Sequence, residues 1–479
     1  MAALTSSPPA LPSPSRRLLF DVSTSLRWSG PPVGIVRVER ELAKWALKND
    51  ANCQFVFFDP DLQEYRAVRR TYLNDLLEGV AIIDTTGMRD ASQFKPRKTD
   101  RVPRSMLGLF LWVTQSRRMA IRTLERLRLN TNTPSIRGII SSLQRFIGGN
   151  KYRQILTCPD GNRRSLIPPD MAVDASISFQ AGDIVFFAGS NWTHSNVRYM
   201  REQQRRVPVQ LVTLCYDIIP LLFPGFFKSH DVVMLKRHFE IAFSISSLIF
   251  TTSNVVSRDI QRYCAEHEIP VGPVQQIPLG FDLPDTPSVS VSRSVSLPWS
   301  RYIMLVSTIE PRKGHRLVQA VWSKLLQEGV LERLDVTLLL VGRPGWMVDD
   351  LMEVISATDR ITIMDNVDDC RLAELYDNAA FCIYPSEYEG YGLPVVEALG
   401  RGKAILASDV GIVPELQSRI LKRLPPNDFD AWYSAIKGWL TDPPFSENRN
   451  EGISFHHPTW RDAASLTFAR IYNIGLVTS

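Results

Sequence analysis

Residues 381–411 read FCIYPSEYEGYGLPVVEALGRGKAILASDVG, and this stretch decides the fold. The apolar run at 381–384 predicts a buried strand. Gly390 and Gly392 flank Tyr391, so the backbone turns tightly there, approaches a ligand closely and presents its N–H groups. Pro394 suits the first turn of a helix at about 393–399, and residues 404–407 read as the next strand. Strand, glycine turn, helix and strand in that order build a parallel α/β sheet, whose ligands bind beyond the carboxyl ends of the strands. The N-terminus of the helix favours an anion such as a pyrophosphate.

Glu389 lies just before the glycine turn and Glu397 about one turn into the helix, so the turn aims both carboxylates at one ligand. A carboxylate at the sugar end of a ligand accepts hydroxyl hydrogen bonds or stabilises positive charge at an anomeric carbon, and one set deeper takes both hydroxyls of a ribose. A second segment points the same way. Residues 306–315, VSTIEPRKGH, end a strand predicted at 302–307 and open a helix at 314–327 with Leu317, Ala320, Val321 and Leu325 on its inner face. Arg312 and Lys313 are placed to neutralise a diphosphate leaving group, with Glu310 holding the arginine. VGRPGW at 341–346 closes another strand with a glycine turn, and Asp365–Val367 follow the strand ITIM.

The N-terminal half has the same rhythm. A strand at 17–22 leads to a loop with Gly30, Pro31, Pro32 and Gly34, a helix at 35–48 and a strand at 55–58, the start of a parallel sheet. Further strands are predicted at 184–187, 210–215, 248–252 and 275–278. Thr252, Ser253 and Asn254, with Ser257, form a helix-start pattern, and Asp59 and Asp61 of DPD read as a turn. The chain is thus α/β, two doubly wound Rossmann-like domains facing across a cleft. The expected organisation is a disordered leader at 1–16, an N-terminal domain at 17–290 with an insertion at about 88–153, a linker within 284–300, a C-terminal domain at 300–458 and a closing helix at 459–479.

Composition narrows the class. The 479 residues are 44% hydrophobic and 22% charged, which suits sizeable cores. Six scattered cysteines form no CxxC pair, so neither a zinc site nor a disulfide framework is expected, and reduced thiols fit a cytoplasmic location. No signal peptide or membrane-spanning apolar run is read from the sequence. The net charge of +5 is unevenly spread: residues 94–153 hold 14 Lys or Arg against 2 Asp or Glu. There Arg117, Arg118, Arg122, Arg126 and Arg128 are interleaved with Met119, Ile121, Leu124, Leu127 and Leu129, after the apolar run at 106–113. Basic and apolar residues at helical spacing suit an anionic membrane surface, a basic face folded on its own domain being the alternative; no nucleic-acid motif accompanies them.

The string EGYGLPVVEALGRGKAILASDVG resembles the signature of glycosyltransferase family 4, retaining enzymes of the GT-B fold that use nucleotide-sugar donors, and the EPRK stretch is similar to that family as well. The resemblance covers about residues 18–60 and 183–470 and implies roles. Glu389 sits by the donor sugar, Glu397 binds the ribose, and Gly390, Tyr391, Gly392 and the adjoining Leu393 face the diphosphate together with Arg312 and Lys313. Asp365–Val367 lie where the family holds the base or ribose. GIVRVERE at 34–41 resembles a mannosyl- and rhamnosyltransferase branch of bacterial polysaccharide assembly, so Gly34 would let its loop approach the donor phosphates, with Arg37 close behind. Asp217, in CYDIIPLLFP, falls at an acceptor-side position. Tyr216 stands where many relatives have His, so no catalytic histidine is named. The implied donor is GDP-mannose, with no bound cofactor and no metal required. The implied acceptor is a lipid-linked oligosaccharide or polysaccharide at the cytoplasmic face of the inner membrane. A non-catalytic scaffold relative and a nucleotide-sugar epimerase are the alternatives.

Overall fold

The structure is a computed structural model that describes residues 16–28, 34–84, 116, 119–128, 130–131, 133–155, 164–281, 301–442, 455 and 457–474. The expectations for the leader before Arg16, for Gly30, Pro31 and Pro32, for the apolar run at 106–113, for Arg117 and Arg118, and for the linker at 284–300 lie outside these residues. The chain divides into two compact units. The described residues up to Leu214 form one with Glu240–Leu248 and those from Phe468 onward, while Cys215–Phe239 and Ile249–Thr467 belong to the other.

The strands in chain order are β1 (Leu18–Asp21), β2 (Cys53–Asp59), β3 (Glu64–Val68), β4 (Ala81–Ile83), β5 (Ser165–Ile167), β6 (Val173–Ser176), β7 (Ile184–Phe187), β8 (Gln210–Cys215), β9 (Ser246–Thr251), β10 (Val274–Gln276), β11 (Arg301–Val306), β12 (Val336–Val341), β13 (Ile361–Met364), β14 (Cys382–Tyr384), β15 (Ile405–Ser408) and β16 (Leu421–Leu424). The first sheet has the order β10-β9-β8-β7-β1-β2-β3-β6. Its central strands are near-continuous apolar runs, LLFD and IVFF, because helices cover both faces of a parallel sheet and leave no side to water. Leu19, Val56, Phe58, Val185, Phe187 and Leu211 form one core layer with Met200. The ring of Phe20 lies 4.9 Å from that of Phe186 and 6.0 Å from Phe468.

β1 and β2 pair parallel as expected, and two strands that the sequence did not predict add an antiparallel edge. β3 pairs antiparallel with β2, and β6 antiparallel with β3. The reversal follows from the DPD segment, where the Asp59 carboxylate accepts hydrogen bonds from the N–H groups of Asp61 and Leu62 at 3.0 and 3.2 Å and closes a hairpin. The expected turn is therefore present, and the strand it leads into escaped the sequence reading because EYRAV has a charged residue at its start and centre.

The second sheet is parallel throughout, in the order β13-β12-β11-β14-β15-β16. β11 has a sequence neighbour, β12, on one side and β14 on the other, so the strand order reverses between β11 and β14. The loops leaving two adjacent strands diverge at such a reversal and open the crevice in which α/β sheets bind ligands. EPRK leaves β11 there, and PSEYEGYG leaves β14.

Close backbone approach fixes other parts of this unit. A Cβ on Gly280 would lie 2.3 Å from Cα of Trp460, whereas one on Gly438, within the helix Phe429–Thr441, would meet nothing within 4 Å. Gly280→Ala is therefore expected to destabilise the protein by about 1–3 kcal/mol, and Gly438→Ala to stabilise it by about 0.5–1 kcal/mol by restoring helix propensity. Urea melts of the two variants against the native chain check the opposite signs.

Candidate active site

After β11 the chain bridges to the β12 loop, with Ile309 opposite Pro344, and then makes a single tight turn at Pro311–Lys313. Gly314 ends that turn at φ +72°, and a Cβ there would lie 2.1 Å from the carbonyl oxygen of Pro385. Only glycine lets the turn seat against the segment leaving β14. The N–H of Glu387 then donates to the carbonyl of Arg312 at 2.8 Å, which stitches the two loops together.

The stitching brings four charged side chains into one place. One oxygen of the Glu389 carboxylate accepts Nζ of Lys313 at 2.5 Å and Nη1 of Arg312 at 2.7 Å. Arg312 also donates to the carbonyl of Tyr388 at 3.0 Å and pairs with Glu310 at 2.9 Å. Lys313 donates to the hydroxyl of Tyr384 at 3.1 Å. Glu389 is 5% exposed, and Glu310 and Lys313 are buried with it. Nε of Arg312 is buried and finds no hydrogen-bond partner among the described residues, a donor left for an anion.

Burial and charge compete here. Burial alone would raise the Glu389 carboxyl, but Arg312 and Lys313 overcome it and hold its pKa at about 2. Burial also opposes charge on Arg312, and Glu389 with Glu310 outweighs it and keeps the guanidinium protonated. For Lys313, burial and the neighbouring Arg312 prevail and lower its pKa despite Glu389. Burial raises Glu310 against the pull of Arg312, and raises Asp217 against the same guanidinium.

Asp217 is held on the other side of the glycine turn. A Cβ on Gly390 would lie 2.0 Å from the carbonyl oxygen of Tyr216 and 2.9 Å from Cβ of Asp217, so the end of β8 rests directly on the turn. Ser253 Oγ donates to the Gly390 carbonyl at 2.6 Å, and Thr252 Oγ1 to that of Tyr216 at 3.2 Å. Ser253 also caps its helix by accepting from the N–H of Val256, so the helix-start pattern is present and has a second task. The Asp217 carboxylate accepts from the N–H of Ile219 at 3.1 Å.

Gly392 takes φ +106° and opens the helix Leu393–Gly400 with no side-chain cap and Pro394 in its first turn, which leaves that N-terminus to backbone donors. Leu393 is half-buried at the helix start, and Glu397 is buried, accepting the Tyr376 hydroxyl at 2.9 Å. The Tyr391 ring is buried and its hydroxyl pairs with Nε2 of His457 at 2.7 Å, so its side chain is committed to the protein. Gly34 lies in the other unit, where at φ +51° it precedes the helix Ile35–Asn49 with nothing within 4 Å of an added Cβ, and Arg37 is buried in that helix. Asp365 and Asn366 are exposed after β13.

The structure thus gathers Glu389, Arg312, Lys313, Glu310 and Asp217 around Gly390. The sequence reading missed Tyr384, the Tyr388 carbonyl and the Ser253–Gly390 bond. Tyr384 offered a signal as the last residue of a buried strand at its ligand end; a backbone carbonyl offers none. Among the described residues no cluster of three or more His, Cys, Asp or Glu is placed to hold a metal ion.

Residues 300–442 match the family model described as Glycosyl transferases group 1. The chain is 27% identical over 284 residues to the serotype-specific mannosyltransferase WbdA of Escherichia coli, covering 52% of this chain and 32% of that protein. It is 28% identical over 253 residues to the O-antigen chain mannosyltransferase B of Escherichia coli, covering 49% and 62% respectively. It is 32% identical over 149 residues to the MMP alpha-(1->4)-mannosyltransferase of Mycolicibacterium hassiacum, covering 30% and 35%. The chain therefore spans less than two thirds of the length of these curated relatives. Among solved structures, Anabaena HepE in complex with UDP and glucose superposes with a TM-score of 0.51 at 14% identity over 96% of both chains. A sucrose-phosphate synthase from Thermosynechococcus elongatus gives 0.50 at 16% identity, over 96% of this chain and 94% of that one. These likenesses show the GT-B fold.

The depressed Glu389 pKa makes acid stability a test of the site. A carboxylate whose folded pKa lies below its unfolded value stabilises the fold above the unfolded pKa, and that stability is lost as pH falls through the folded one. Glu389→Gln is expected to lower stability at pH 7 by about 3 kcal/mol, because it leaves two buried cations without their shared partner. The gap between variant and native chain is expected to close as pH falls from the ordinary glutamate value of 4.5 towards about 2. Denaturant melts across that range check it.

Proposed function

We propose that this chain is a retaining glycosyltransferase of the family 4 type. It moves a hexose, mannose in the first place, from a nucleoside diphosphate sugar, GDP-mannose, to a lipid-linked oligosaccharide or polysaccharide. The observation that carries the reading is the buried arrangement in which Arg312 and Lys313 converge on Glu389 beside an uncapped helix N-terminus. The family match over residues 300–442 supports a nucleotide-sugar donor, and the mannosyltransferase relatives support the sugar.

The reaction breaks the bond between the anomeric carbon and the diphosphate. Negative charge gathers on the leaving oxygen, and positive charge on an oxocarbenium-like carbon. Arg312, through its unpartnered Nε, and Lys313 take the diphosphate, with the backbone around Gly390 and Gly392 completing the anion site. These cations supply the charge neutralisation that other transferases obtain from a metal. Glu389, ionised at neutral pH, accepts hydrogen bonds from the sugar hydroxyls and stabilises the developing cation. Glu397 takes the ribose and Gly34 approaches the phosphates. The acceptor hydroxyl attacks from the face the diphosphate leaves, which preserves the anomeric configuration, and its proton passes to the departing diphosphate. Asp217, whose raised pKa lets it hold a proton more readily than an ordinary carboxyl, orients the acceptor. The acceptor is carried on the cytoplasmic face of the inner membrane, which the chain contacts through residues 94–153.

A thermal-shift panel of GDP-, UDP-, ADP- and dTDP-sugars tests the donor. A ligand at about 100 times its Kd stabilises by roughly 2.7 kcal/mol, and GDP-mannose is expected to do so for the native chain but not for the Arg312→Ala, Lys313→Ala double variant. Stabilisation by none of the four would overturn the transferase reading in favour of a scaffold. Glu389→Gln is expected to lower kcat by about 10²–10³ with the nucleotide shift retained, measured as release of GDP in the presence of acceptor.

A further inference from the structure

The insertion packs one face of a long helix and leaves the neighbouring face bare. In the helix Pro134–Ile155, Ile140 and Gln144 are buried, and Ile147 packs against Ile82, Ile121 and Leu166. A polar clamp locks that face: the Gln144 amide donates to the fully buried Glu125 carboxylate at 2.6 Å, and Glu125 in turn pairs with Arg128 at 2.6 Å. The rotation of the helix is therefore fixed, since turning it would take from a buried carboxylate one of its donors and expose the Ile140 and Ile147 face. About a quarter-turn round the axis, Ile136, Ile139, Leu143 and Phe146 form a stripe at spacings of three, four and three residues, and all four are exposed, Ile139 by 63% and Phe146 by 86%. The helical residues 119–128 add Met119 and Leu127, also exposed.

The described arginines of this region follow the second of the two readings, a basic face folded on its own domain. Arg122 pairs with the buried Asp84 at 3.0 Å, Arg126 with Asp170 at 2.5 Å, and Arg128 with Glu125. They hold the insertion to its own unit, so the folded basic face accounts for them. The excess of 14 basic over 2 acidic residues in 94–153 gives this part of the chain an attraction for anionic surfaces. No helix among the described residues is long and apolar enough to cross a membrane.

We infer that the Ile136–Ile139–Leu143–Phe146 face of this helix lies in the plane of an anionic membrane, its apolar side chains entering the headgroup boundary and the net positive charge of residues 94–153 drawing it there. The inference rests on the reading that the acceptor is membrane-borne. It moves the contact from the arginines at 122, 126 and 128 to the apolar stripe. A helix with this pattern binds flat, by apolar area plus attraction to anionic lipid.

The test is co-sedimentation of the full chain with phosphatidylcholine vesicles with and without phosphatidylglycerol, at low salt. The variants are Ile139→Asp with Phe146→Asp and, as a matched exposed control elsewhere, Val354→Asp. The native chain and the control are expected to sediment with the anionic vesicles, and the double variant to lose roughly tenfold or more in partitioning with an unchanged thermal melt. Equal binding of all three, no binding of the native chain, or a stripe that proves to hold two copies together (the double variant changing elution volume and not vesicle binding) would each overturn it. The nucleotide shift measured on the same samples separates the two readings: vesicle binding that survives while no nucleotide stabilises the chain refutes the transferase and leaves the membrane face standing.

Discussion

The C-terminal unit is organised around a carboxylate forced against two cations out of water. Glu389, Arg312 and Lys313 come from loops that leave adjacent strands, and neither loop could carry its charges inward alone. An unpaired buried ion carries a penalty of several kcal/mol, so the two loops must dock together. Gly314 exists at its position for that docking, since a Cβ there would meet the Pro385 carbonyl oxygen at 2.1 Å, and Gly390 seats the same turn on the Tyr216 carbonyl. The reversal of strand order between β11 and β14 supplies the place, and the charges supply the reason for the loops to close on it.

That arrangement is a poor device for stability. Burial opposes charge on all of its members, and it prevails in lowering Lys313 and raising Glu310 and Asp217. Apolar side chains of similar volume would do as well or better. A cluster that fights its own desolvation and leaves Nε of Arg312 without a partner is better accounted for by what it receives. On the proposed function a diphosphate would supply an acceptor for the Arg312 Nε–H that Glu389, Glu310 and the Tyr388 carbonyl leave unused, and it would compete with Glu389 for the same two cations. Release of Glu389 from that double ion pair would free its carboxylate for the sugar.

Much of this was legible in the sequence because it depends on residue types with few uses. Glycines flanking a tyrosine between a buried strand and a proline-opened helix mark a tight turn, and the adjacent Arg–Lys pair after a strand lies where the two loops meet. The strands β11 to β15 of the C-terminal unit were readable because they are near-continuous apolar runs, whereas the edge strand β16, LKRL, is interrupted by two cations and escaped. What escaped is what residue type does not encode. β3 and β6 lie at a sheet edge where charged residues interrupt the pattern. Hydrogen bonds to the carbonyls of Tyr388, Gly390 and Tyr216 depend on backbone placement alone. The arginines at 122, 126 and 128 have the spacing of a solvent-facing basic stripe, but their partners Asp84 and Asp170 are distant in sequence, and only the folded chain shows that the stripe closes on itself.

The same distinction between side chain and backbone bears on position 216, where many family members resembling this chain have histidine. The contact that 216 makes with the ligand turn is through its carbonyl, which sits where a Gly390 side chain would be and accepts the Thr252 hydroxyl. Any residue at 216 can make that contact, so the geometry that sets Asp217 against the glycine turn does not depend on an imidazole. On the proposed mechanism neither does the proton transfer, because the departing diphosphate is itself the base nearest the attacking hydroxyl. A tyrosine at 216 is then compatible with both the fold of the turn and the reaction. On that mechanism Asp217, whose carboxyl is raised by burial, orients the acceptor and need not take its proton.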